Sequence, residues 1–336
     1  MVEVTLKHDN LVFGKGFALN FQRTLRIPDD GKTYPLPPGL GTFPVCRVED
    51  YKERVPETWA EHGGVFIPMY QREALWISFR PRYWKPNAVK VAIGKVNAVS
   101  GKPWDSKLHP EENDYLVCPP QPWLDGINAG EGYIRQFVAM PLGMGYTVEA
   151  QVTGEEKFGG IQILVYEPKP GRFPDQPPTP SGLSREFDGV LYAQAPVAYR
   201  SVGSAEMGLA AGGKMRQKIY PDPHGIDTWD PENHRRVYVH IVNSMMYREI
   251  TGKEPPPTPV TARMYTEYGL PWFDLYDDKL GDISAPDALK KVKTVKEKDE
   301  EKRFATQQDD EPVEIPEDKV IKYKVDPDDE VKDGDW

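Results

Sequence analysis

The chain has 336 residues, 39% apolar and 11% aromatic, enough to bury a large core, and its net charge is −10. Residues 296–336 hold 8 basic and 16 acidic side chains, so the tail carries most of that charge and the body is near neutral. There is no basic stripe, no zinc-finger spacing and no apolar run near eighteen residues, which speaks against nucleic-acid binding and against a membrane-spanning helix.

Thirty-four prolines, about twice the usual share of roughly 5%, favour strands and loops over long helices. The start, "MVEVTLKHDNLVF", alternates apolar with polar residues and reads as a strand rather than a secretory leader. "LVFGKGFALNF" and "RTLRIP" continue the strand pattern, and "IPDDGKTYPLPPGLGTFP" is a long loop. "VEDYKERV" predicts a short helix stopped by Pro56. "GGVFIPMYQREALWISFRPRYW" is strand-like, and it sets Arg72 and Glu73 among apolar residues, where a buried Arg–Glu pair is an option. In "AVKVAIGKV", Val89, Val91 and Ile93 alternate against Lys90, Ala92 and Gly94.

"WLDGINAGEGYIRQF" has glycines at 126, 130 and 132. That spacing fits neither a dinucleotide fingerprint nor a phosphate loop, and Asp125, Asn128 and Glu131 lack the order of a calcium loop. A turn between strands, with glycines for positive φ, is the plainer reading. Arg135 in the following strand needs an acid if it faces inward, with Asp125 or Glu131 at hand. "GYTVEAQVTGEEKFGGIQILVYEP" predicts a hairpin, with Val148, Ala150 and Val152 returning as Ile161, Ile163 and Val165.

A proline-rich stretch from Lys169 to Gly182 precedes a mixed second part. "GVLYAQAPVAYRS" and "RVYVHIVN" read as strands. "TPVTARMYTEYG" predicts a helix capped by Thr258 and ended by Gly269, and Ser284 with Asp287 suggests a capping box. The acidic end reads as largely disordered except for "VIKYKV", where Ile321, Tyr323 and Val325 alternate with lysines. That segment suits an edge strand on its own chain or a strand added to another subunit.

Two clusters suggest chemistry. In "DPHGIDTWDPENH", His224, Asp227 and His234 are candidate ligands for a divalent metal, although the spacing matches no signature and charged surface loops are commoner. Five tryptophans have an acid within two positions, including Trp104–Asp105, Trp123–Asp125 and Trp229–Asp230. Aromatic faces beside carboxylates can grip sugars, and equally they pack at a core edge. No nucleophile elbow occurs, and Cys46 and Cys118 in apolar surroundings read as buried thiols of a reducing cytoplasm.

The expected fold is a β-rich α+β protein with a two-layer β-sandwich-like body, a few short helices in the second half and a flexible acidic C-terminal tail. Its parts are 1–170 (β-rich), 183–295 (α+β, able to pack with the first as one domain) and 296–336 (tail). The expected function is a non-catalytic structural or protein-interaction role, with self-association or a protein partner, no cofactor, and assembly through a sheet edge or the tail strand at 320–325. The alternative is carbohydrate binding or hydrolysis.

Overall fold

Local turn chemistry starts the architecture. Val4–Lys7 and Asn10–Phe13 pair antiparallel across a two-residue connection, with His8 and Asp9 both at positive φ (46° and 61°), the twist that two-residue hairpins require. The computed structural model describes residues 3–14, 16–177, 206–276, 280–305 and 307–322.

From this hairpin one layer runs through Phe17–Thr24 and Ala74–Arg80 to Tyr133–Pro141 and Glu206–Arg216. The second layer sets Ile161–Pro168 between Asn87–Ile93 and Trp229–Asn243. The layers join where Glu206 and Met207 pair with Val242 and Ile241. Alternate residues of both layers meet inside: Leu19, Phe21 and Ile77 from the first, Val91, Ile163 and Val239 from the second. This core also takes Tyr265, Trp272, Leu289 and Val313, so the first and second parts of the chain share it. The fold is the expected β-rich, sandwich-like α+β architecture.

Several local expectations give way to tertiary context. The hairpin at 148–165 is half right: Ile161–Pro168 is a strand, but Val148–Thr153 is a helix, capped by the Thr147 side chain accepting from Ala150 N–H and closed by left-handed Gly154 (φ 80°). Val148 and Val152 are four apart as well as two sets of two, so both periods fitted. "VEDYKERV" is a 3-10 turn at Val48–Tyr51. The helix Ala262–Glu267 is capped by Thr261 rather than Thr258. Asp287–Lys290 follows Pro286 with no side-chain cap; the true capping box is Thr294 with Glu297, opening Val295–Glu301. "GVLYAQAPVAYRS" lies outside the described residues.

The acidic stretch does not leave the body at 296. Asp299 accepts both Arg72 Nη groups at 2.8 Å, and Asp310 accepts from Arg26 at 2.6 Å. These carboxylates are buried against arginines that flank the strands Phe17–Thr24 and Ala74–Arg80. Val320–Lys322 then pairs in parallel with Trp272–Asp274 of the same chain. Residues 323–336 lie outside the described set.

Candidate strand-docking slot

The strand Trp229–Asn243 changes character along its length. Val239 to Asn243 are fully buried, whereas Glu232, Arg235 and Arg236 are exposed. Pairing explains the change. Val239 faces Ile161 on one edge and Val65 on the other. Toward Trp229 the first edge stays paired through His234 with Tyr166, but Val65–Met69 begins only at Val239. Among the described residues, no strand covers the second edge of Glu232–Tyr238.

A second open edge faces it. Among the described residues Val4–Lys7 pairs only with Asn10–Phe13. With a two-residue turn, Lys7 and Thr5 exchange hydrogen bonds with their partners, which leaves the N–H and C=O of Leu6 and Val4 directed away from the hairpin. The Gly14 N–H to Glu3 O bond of 2.8 Å agrees with that alternation.

Between the two edges lies a cavity of about 710 Å³. Val4, Leu6, Leu11 and Val237 give it an apolar wall continuous with the core, and Gly63, Gly64 and Val65 close one end. Gly64 is at φ 96°, and a Cβ there would lie 2.4 Å from Tyr238 O, so only glycine lets the chain turn into the strand at that end. Arg47, Arg235, Arg236, His62 and His234 face Glu49 and Glu232 around the rim. The arrangement offers backbone donors and acceptors on two sides and an apolar floor between them, with Arg47 held by Asp50 at the rim.

The residues singled out from sequence sit elsewhere, His234 excepted. Asp105 meets His109 and Asp114, three possible metal ligands within 4.8 Å of one another. The buried Lys90 ammonium bridges the two carboxylates, 2.8 Å from Asp105 and 2.6 Å from Asp114, with Trp104 5.5 Å away. Burial alone would raise the Asp105 carboxyl, but hydrogen bonds from Lys90, the Lys107 N–H and His109 hold it well below the usual range. His109 is raised by its bond to Asp105.

Trp123 packs edge-on to Trp76 and beside Tyr276, while Asp125 is buried beneath and accepts from Gln217 Nε2 at 3.0 Å. Burial pushes the Asp125 carboxyl up to about 8. Arg135 turns to Val292 O and Glu297, not to Asp125 or Glu131. Of the three glycines only Gly132 has positive φ; Gly126 and Gly130 are needed because a Cβ would strike Arg135 O and the Tyr133 ring.

Trp229 is buried and donates to Asp222, which also accepts from Tyr115, while Asp230 accepts the Glu232 N–H. His224 packs against Phe173 and Trp229, His234 stacks on Tyr166, and the Asp227 carbonyl accepts from Arg172. His224, Asp227 and His234 form no ligand cluster among the described residues. Ile321 is half exposed beside Phe273; Tyr323 and Val325 lie outside the described residues.

Sequence reasoning passed over Arg235, Arg236 and Val4. The available signal was "NHRRVYVHIVN", one strand whose first half is charged and second half apolar. Compared with known proteins, the chain matches no family model, no curated protein and no solved structure.

Proposed function

We propose that this chain is a non-catalytic interaction protein that accepts an extended, acidic peptide segment as an added strand between Val4–Lys7 and Glu232–Tyr238. The carrying observation is the pair of open strand edges flanking one cavity of about 710 Å³. Added strands gain affinity from main-chain hydrogen bonds and selectivity from alternate side-chain positions. Charges on an edge commonly serve to block stray pairing. A guarded edge alone does not call for an apolar trough beside it, and the exposed Arg236 at the rim favours an acidic group on the occupant.

The tryptophan–acid neighbours lend less to a sugar-binding reading. Trp59 and Trp229 spend their indole N–H groups on internal carboxylates, Glu206 and Asp222. No tryptophan lines the slot.

The test is fluorescence anisotropy with a labelled peptide alternating Val and Glu, against a Val/Lys counterpart. The acidic probe binds, binding weakens as salt rises, and Val4→Pro, which removes an outward N–H, abolishes it. Arg235→Glu with Arg236→Glu weakens it by tenfold or more. No binding of either probe, or binding indifferent to Val4→Pro in a folded variant, overturns the reading.

A further inference from the structure

We propose that Lys90 and Asp114 condense in the folded chain to an amide, a self-formed cross-link between neighbouring strands, with Asp105 as the base. The ion pair described above is the state from which the reaction starts.

The geometry supplies each part. Lys90 lies on Asn87–Ile93, and Asp114 stands just ahead of Leu116–Cys118, the antiparallel neighbour in which Leu116 faces Val89. The two side chains are 1% and 2% exposed, and Lys90 Nζ lies 2.6 Å from Asp114 Oδ2. Near-attack geometry needs about 3–3.5 Å between reacting atoms, so a small shift carries the nitrogen over the carboxyl carbon. Asp114 Oδ1, the oxygen that stays, accepts the His109 N–H at 2.8 Å. That donor meets the negative charge that develops on Oδ1 as the nitrogen attacks. Asp105 Oδ1 lies 2.8 Å from the same nitrogen, and its Oδ2 is held 2.7 Å from His109 Nε2. A structural ion pair calls for neither the second carboxylate nor the N–H on the far oxygen.

The surroundings favour condensation. Tyr115, Leu164 and Trp229 close the apolar side, and the Trp104 ring lies 5.5 Å from Nζ. Each buried charge costs several kcal/mol of lost hydration, and the reaction removes two of them. The Nζ–Cγ bond forms and the Cγ–Oδ2 bond breaks. Oδ2 leaves as water with two of the three ammonium hydrogens, passed on by Asp105, and nothing is oxidised or reduced. The side chain of Asp105 is 48% exposed, which gives the water a way out. The one N–H that remains stays beside the Lys107 carbonyl, which already accepts from Nζ at 2.5 Å.

Intact-mass spectrometry of the denatured full chain, followed by tryptic mapping, tests this. The chain is lighter than its sequence by one water, Lys90 resists trypsin, and its peptide is joined to the one that carries Asp114. Lys90→Arg keeps a cation beside the carboxylates and has the full mass. Asp105→Asn slows the reaction by about a hundredfold, the usual contribution of a positioned base, so newly purified protein stays largely at full mass. A parent chain at full mass after prolonged incubation overturns the cross-link. So does a missing water that persists in Lys90→Arg, which assigns it to an Asp–Gly step such as Asp125–Gly126. Reaction at the parent's rate in Asp105→Asn overturns the role of base.

Discussion

Arg72 and Asp299 lie 227 residues apart in sequence and form a two-point hydrogen-bonded ion pair, both contacts 2.8 Å, with the two side chains 11% and 4% exposed. Tyr146 OH donates to the same carboxylate at 2.7 Å. Such a pair contributes little relative to a matched apolar pair, but losing one partner strands a buried charge. Asp299→Ala is therefore expected to cost about 3–5 kcal/mol, read from urea unfolding, whereas Arg72→Met with Asp299→Leu recovers most of it. A single variant within 1 kcal/mol of the parent, a threshold set by ordinary surface effects, counts against this role.

Asp125 should give the stability curve a descending limb. Burial raises its folded-state value from 3.8 to about 8, so between those pH values the folded state holds a proton that the unfolded state has lost. Stability then falls as pH rises through that window, by up to about 1.4 kcal/mol per pH unit. Asp125→Asn retains an acceptor for Gln217 and removes the titration. Its advantage over the parent should grow from pH 5 to 8 and level off above; an advantage that stays flat with pH means the carboxyl is not held protonated.

His240 gives the opposite slope. Burial lowers it from 6.5 to about 4; its ring lies stacked 4.2 Å from Trp59, with Nε2 3.0 Å from Gly63 O. The folded state resists protonation that the unfolded state accepts, so stability is full above about pH 6.5 and falls as pH drops toward 4. With Trp59 fluorescence as the signal, His240→Gln should flatten that acid limb relative to the parent. The facing groups are Trp59, Tyr238 and His62.

Lys90 makes a competing claim on Asp105, His109 and Asp114. With its ammonium bridging the two carboxylates, a divalent cation meets carboxylates that already have a cationic partner. Lys90→Met should lose about 3–5 kcal/mol, since Asp114 is buried with it, and should gain zinc binding measurable by calorimetry. Equal zinc affinity in parent and variant would show that the ammonium does not guard the cluster.

How much of this was legible depends on how local the cause is. The strands and the Gly132 turn follow from alternation and backbone freedom nearby. Val148–Thr153 misled because its valines satisfy a strand and a helix period at once. Lys90 looked like the polar face of Asn87–Ile93, yet both faces of that strand are covered, one by the main core and one by Tyr115, Leu164 and Trp229. The acidic end reads as disordered by composition, but the partners that bury Asp299 and Asp310 are 227 and 284 residues upstream. The slot was least legible of all, because an open edge is defined by which distant strand stops short.

The arginine–carboxylate contacts of the C-terminal third also bear on how the chain is made. During synthesis the ribosome delivers Arg26 and Arg72 early, and the carboxylates that neutralise them emerge only after some 230 to 280 more residues. Until then the nascent first layer keeps two cations without their final partners, and a product released early is left with that defect. A chain that stops before Asp299 is therefore expected to be cut by proteases faster than one that carries both carboxylates.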